Sequence, residues 1–207
     1  MSASTPESLN GHRDGLSIVT GDRDLDRPKT ERAVAELFEA LGVDLSAPVL
    51  RDTPRRVAAM YSELLTPKPF NPTTFPNDDG YDELVLAKNM PFTSLCAHHA
   101  LPFSGVAHVG YLPGERILGL SKLARVVHYF SHSLQVQERL TKQIADWLDA
   151  ELEPRGVGVV IEAEHSCMTI RGVQAAGSKT VTSTMYGLLR ERVATRQEFL
   201  SLIGSNG

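Results

Sequence analysis

Residues 119–152 read GLSKLARVVHYFSHSLQVQERLTKQIADWLDAEL. Two helical segments run through this stretch. The first spans 120–131 and opens on Gly-Leu-Ser. The second spans 134–152 and places Val136, Leu140, Ile144, Trp147 and Leu148 on one face. Strand-like segments flank the pair on both sides. Upstream lie 83–88, 92–96 and 102–111, the last turning at Leu112-Pro113-Gly114. Downstream, 157–167 reads as a strand, 179–189 begins as one, and 191–203 closes as a helix. Strands, then helices, then strands predict an α+β fold in ββααββ order. Its sheet is mostly antiparallel, with the helices on one face.

Working outward, the chain before this unit is of another kind. Residues 1–25 are rich in Ser, Gly, Asp and Arg without periodicity, and predict a disordered tail. Residues 26–80 predict an N-terminal helical part and a loop. Val34, Leu37, Phe38 and Leu41 recur at helical spacing after Pro28, and Gly42 ends the run. A short helix follows at 53–61, with Thr53 as its cap and Pro54 in its first turn. Residues 66–80, with four prolines, form the connecting loop. Residues 81–207 then make one domain, which holds the ββααββ unit.

Composition narrows the partners. The net charge is -4, and 42% of the 207 residues are hydrophobic. A mildly acidic chain lacks the basic surface that nucleic acid or a membrane demands. The first residues have no apolar signal core, and no apolar run reaches the ~18 residues of a membrane span. The expected address is the cytoplasm, where the two cysteines are thiols rather than a disulfide.

Those cysteines sit in suggestive company. Cys96-Ala97-His98-His99 puts a thiolate beside two imidazoles, with Cys96 and His99 three apart, a spacing that a tight turn can fold around one ion. Glu164-His165-Ser166-Cys167 is the second piece, and strand alternation predicts that His165 and Cys167 share a face. Two Cys with one or two His suit a tetrahedral zinc. Three protein ligands and an open position make a catalytic site, in which the metal activates water; four protein ligands make a structural one. Either pair alone is more often a buried thiol and an unremarkable histidine.

Cationic residues point to an anion. Lys122 and Arg125 lie at the start of the helix opened by Gly119-Leu120-Ser121, where free N–H groups favour phosphate. Arg171 follows Cys167, and Arg56 lies in the earlier helix. Glu138 is a carboxylate able to accept both hydrogen bonds from the N1–H and amino edge of guanine, a pair that adenine does not offer.

Taken together these segments resemble the GTP cyclohydrolase I family. The matching blocks include Asp52-Thr53-Pro54-Arg55-Arg56, Cys96-Ala97-His98-His99 and Gly119-Leu120-Ser121-Lys122-Leu123-Ala124-Arg125. Further blocks are Gln135-Val136-Gln137-Glu138-Arg139-Leu140-Thr141, His165-Ser166-Cys167-Met168, Arg171-Gly172-Val173-Gln174 and Ser178-Lys179-Thr180-Val181-Thr182-Ser183. The resemblance runs from about residue 30 to residue 203. It implies the tunnelling fold (T-fold), whose sheets join into a barrel in a decamer of two stacked pentameric rings, with active sites between subunits. It implies conversion of GTP and water to 7,8-dihydroneopterin triphosphate and formate, the entry to folate or tetrahydropterin synthesis. Zinc is then held by Cys96, His99 and Cys167. His165 is the acid that protonates the opening imidazole ring, and His98 and Ser121 serve the ribose. Glu138 grips guanine and Gln137 the ribose. Arg56, Lys122, Arg125 and Arg171 hold the triphosphate.

One position departs from the pattern: the family commonly has Glu where this chain has Ala97. The ligands are untouched, but a group supporting them is lost, and such groups tune metal affinity ~10–100-fold. Two alternatives compete. Other T-fold enzymes acting on purines or pterins use three histidines for zinc, or a nucleophilic Cys without metal, and neither pattern is present. A non-catalytic zinc-stabilised assembly would need no set such as His98, Ser121, Glu138 and His165.

Overall fold

The structure is a computed structural model that describes residues 25–204, so the tail expected over 1–25 lies almost wholly outside the described residues. The two segments at 119–152 are helices α3 (Leu120–Ser131) and α4 (Gln137–Leu152). They pack on a five-stranded sheet of order β5-β2-β3-β6-β7. Its strands are β2 (Val85–Cys96), β3 (Pro102–Leu112), β5 (Leu134–Gln135), β6 (Gly156–His165) and β7 (Thr180–Gly187). All neighbours run antiparallel except β5, which pairs parallel with β2.

Alternation along the strands builds the core. Ala107, Val109 and Tyr111 of β3 and Val157, Val159 and Ile161 of β6 are buried on one face. Against them α3 sets Leu123, Val126 and Val127, and α4 sets Leu140, Ile144 and Leu148, at spacings of three and four. Each such side chain, fully buried, stabilises by about 1.5–3 kcal/mol. The opposite face carries a smaller cluster. There Phe199 of α7 (Val193–Gly204) packs with Val160 and with Leu189 of the short α6 (Leu188–Glu191). A Cβ at Gly158 would come within 2.9 Å of the Phe199 ring, so glycine makes that approach possible. Thus α3 and α4 share a face as expected, and the closing helix covers the other.

Several local readings change. The segments at 83–88 and 92–96 are one strand, β2, with a register shift between Ala87 and Met90, where Asn89 takes φ 58°. Leu134 and Gln135 do not open α4. Their backbone is drawn onto β2 opposite Leu95 and Cys96, and the helix starts after the extended Val136. The proline-rich loop contains a short strand, β1 (Thr74–Pro76), which pairs with β4 (Arg116–Leu118) just before α3.

The N-terminal helices are α1 (Arg27–Ala40) and α2 (Thr53–Leu64). Asp26 caps α1 by accepting from the Lys29 N–H at 2.9 Å. Gly42 follows at φ 78°. In α2, Thr53 is the first helical residue and Asp52 holds the cap position; its carboxylate pairs with Arg55 instead of a backbone N–H.

Candidate active site

The ends of three strands meet at one edge of the fold. Register pairs Leu95 with Pro102 and Phe103 with His165, so β2 ends, β3 begins and β6 ends side by side. The β5 pairing brings Gln135 opposite Cys96 and delivers the start of α4 to the same place. The Cys96–Ala100 turn is closed by its own backbone. The N–H of Ala100 donates to Cys96 O at 2.8 Å, and the N–H of Ala97 donates to Gln135 O at 2.8 Å. Ala100 accommodates the tight turn at φ 54°. Tyr61 of α2 donates its hydroxyl to Ala100 O at 3.2 Å, tying the N-terminal helices to this turn.

Three metal-ligating side chains converge there. The ligand atoms of Cys96, His99 and Cys167 all lie within 4.8 Å of one another. Sγ of Cys96 is 3.9 Å from Sγ of Cys167 and 3.8 Å from Nδ1 of His99. A tetrahedral zinc with Zn–S of ~2.3 Å and Zn–N of ~2.0–2.1 Å implies edges of about 3.8 and 3.6 Å. The donor set and its spacing therefore fit such an ion with little movement. His98, whose Nδ1 is 3.9 Å from Cys96 Sγ, stays outside the trio. Burial and the sulfur of Cys96 push the Cys167 thiol up, while Arg171 pulls it down. A bound cation reverses the first effect by stabilising thiolate.

Cys167 does not reach this place by strand alternation. The strand ends at His165, and Cys167 lies in a helical turn, α5 (Ser166–Thr169). His165 and Cys167 therefore do not share a strand face. His165 is held in another way. Its ring stacks on Phe103 at 4.5 Å between centroids and 2° between planes. Its Nε2 lies 2.8 Å from Oε1 of Gln137. Burial holds its pKa below the usual value, with the Glu138 carboxylate pulling the other way. Glu138 itself is exposed in the first turn of α4.

Gln137, expected at the ribose, is packed into the chain. It is 2% exposed, and its amide is already engaged within the chain. Nε2 meets Ile161 O at 3.1 Å, Thr180 O at 2.9 Å and Thr182 Oγ1 at 3.2 Å. Of the two residues that complete this arrangement, Thr182 lies in a matching block but was given no role, and Phe103 carried no signal of its own in the sequence. Phe103 becomes visible only once the β3–β6 register is known. Arg139 is half-buried and grips the Gln135 side chain at 2.8 Å and the Leu134 carbonyl, which holds β5 in place.

The expected phosphate ligands stand on separate elements. Lys122 and Arg125 lie on α3, next to Ser121, the residue expected at the ribose; Arg56 is exposed on α2, and Arg171 is exposed after α5. Arg56 stands 4.0 Å from Asp52, a weak exposed pair. Arg125 faces a cleft of about 790 Å³ that Lys68, Phe70, Phe92, His128 and His132 also line. None of Cys96, His99, His165 and Cys167 lines that cleft.

The sequence model of the family described as GTP cyclohydrolase I matches residues 30–204. The chain is 49% identical over 179 residues to a protein named GTP cyclohydrolase 1 from Aquifex aeolicus, covering 86% of this chain and 97% of that one. It is 50% identical over 184 residues to the protein of that name from Carboxydothermus hydrogenoformans, covering 87% and 96%. With that from Mycobacterium ulcerans it shares 48% over 195 residues, covering 92% and 96%. A solved structure, the apo archaeosine synthase QueF-Like, overlaps half of this chain with a TM-score of 0.42 at 18% identity. A family match over most of the chain, with relatives near half identity along almost their whole length, shows that this chain belongs to the GTP cyclohydrolase I family.

Proposed function

We propose that the chain is a zinc-dependent GTP cyclohydrolase I. It opens the imidazole ring of GTP with water, releases the C8 carbon as formate and rearranges the remainder to 7,8-dihydroneopterin triphosphate. The observation that carries this reading is the convergence of Cys96, His99 and Cys167 on one point, with His165 beside them, in a chain of this family.

Zinc bound by the trio supplies Lewis acidity that makes water nucleophilic near neutral pH. The rest falls to the protein. Glu138 accepts the N1–H and amino donors of guanine and sets the ring's orientation. His165, aligned by Phe103 and Gln137, protonates the imidazole nitrogen as the ring opens after water adds at C8. His98 and Ser121 move protons at the ribose during its opening and rearrangement. Lys122, Arg125, Arg171 and Arg56 neutralise the triphosphate. Their placement on separate elements suits sites assembled between subunits.

Such assembly accords with the exposed apolar side chains Leu134, Ile170, Val173 and Val181, and with β7 standing at the edge of the sheet. We assign the decamer of two stacked pentamers, the 26–80 helical arm and the 81–207 catalytic domain to the functional particle, and the cytoplasm as its site of action. No described helix is long and apolar enough to cross a membrane.

The test is direct. Purified, zinc-loaded protein is incubated with GTP, and formate and the oxidised fluorescent pterin are measured. Both products are expected in equal amounts. Absence of both overturns the assignment.

A further inference from the structure

We infer that Gln137 is a positioning residue that fixes the tautomer of His165, so that Nδ1 is the ring nitrogen left to exchange a proton with a bound molecule. The argument runs through hydrogen-bond direction. A side-chain amide looks nearly the same when flipped, so its orientation must come from its partners. Here the partners decide it. On one side of the Gln137 amide lie Ile161 O and Thr180 O, two backbone carbonyls that can only accept.

The third group on that side is Thr182 Oγ1, whose role is also settled. Thr141 donates its hydroxyl to the Gln137 backbone carbonyl at 2.8 Å, so its oxygen must accept the 2.6 Å bond from Thr182. Thr182 has then used its only proton and can only accept from Gln137. Three acceptors therefore face the amide nitrogen, and no donor does. The NH₂ group must point at them, and Oε1 must point at His165.

A carbonyl oxygen cannot donate. The 2.8 Å contact consequently requires a hydrogen on Nε2 of His165. In the neutral ring Nδ1 is then bare. Stacking on Phe103 keeps the ring from turning over. Gln137 and Thr141 are both buried, at 2% and 1% exposure, so water does not compete for these bonds. The network extends from α4 to β6 and β7, and it locks one side chain that the reaction uses. The catalytic consequence rests on the proposed GTP chemistry; the tautomer does not.

The experiment separates the two. Zinc-loaded protein carrying ¹⁵N-histidine is studied by NMR at about pH 8.5, two units above the ordinary histidine pKa. The His165 signals are assigned by their loss in His165→Gln. A protonated Nε2 with a bare Nδ1 is expected. The opposite tautomer overturns the inference, whether or not the protein turns over GTP, and this measurement needs no Gln137 variant to fold.

In Gln137→Met the tautomer is expected to become mixed. The kcat should fall about 100-fold, with KM for GTP and zinc content within about twofold of the parent. A raised KM with kcat intact would instead make Gln137 a ribose ligand and sink the proposal.

Discussion

Cys167 and His165 are two residues apart, and the structure places one in a helical turn and the other at the end of a strand. Replacing Cys167 with Ser removes one of two thiolates from the trio, so zinc and turnover are expected to vanish together, as metal analysis and a formate assay would record. Replacing His165 with Ala should leave zinc at one ion per chain and cut formate release by about 100-fold or more, the scale of a lost general acid. A His165→Ala protein that loses its zinc would move this residue into the metal shell. At this scale the sequence was readable where chemistry is local. Cys96, His99 and Cys167 stand out by residue type and by resemblance, and the structure brings them together. Gln137 was not readable. Its task depends on Thr180, Thr182 and Ile161, which only the packing of α4 on β6 and β7 brings near. Ala97 is exposed on the turn, and its N–H secures the turn to Gln135, so the loss of the family's usual Glu leaves the turn's backbone intact.

Among the elements, β3 supports the site through Phe103, which stacks on His165. Gly105 lies two residues from Phe103, and a Cβ there would fall 1.9 Å from Glu162 O on β6. Gly105→Ala must push the two strands apart. It is expected to lower stability by about 1–3 kcal/mol or more, read from the urea midpoint, and to weaken the stack under His165. The β2 irregularity makes another prediction. At the bulge the Asn89 N–H faces Nδ1 of His108, which is 6% exposed. Burial lowers the His108 pKa; Glu162 opposes this and Lys88 adds to it. A folded-state value below the unfolded ~6.5 means that the neutral ring's stabilisation is complete above that pH and is lost as pH falls through the folded value. His108→Gln should therefore lose less stability than the parent between about pH 7.5 and 5.5 in paired urea titrations. The elements themselves were largely legible, since α3, α4, β3 and β6 follow from periodicity. Their ends were not: Leu134 and Gln135 have helical spacing but are captured by β2, a long-range pairing that no local pattern encodes.

For the whole molecule, the ββααββ order was legible because two amphipathic helices between alternating strands have few other ways to bury their apolar faces. The placement of α7 on the far face was not, because it depends on Phe199 meeting Gly110 and Gly158. The metal trio has one more consequence at this scale. Cys96 and Cys167 are 71 positions apart, and an ion held by both is a clasp across the chain. A covalent tie over that span restricts the unfolded ensemble by about 4 kcal/mol in the chain-entropy estimate. Chelation under reducing conditions opens the clasp, and the protein should melt several degrees earlier. Metal-free protein oxidised at the same two sulfurs, which lie 3.9 Å apart, closes it again without restoring the reaction. Thermal endurance and activity should then part company: the oxidised form regains much of the lost melting temperature in calorimetry and makes no formate. With an ion bound, this centre would fasten the fold as well as serve the proposed chemistry.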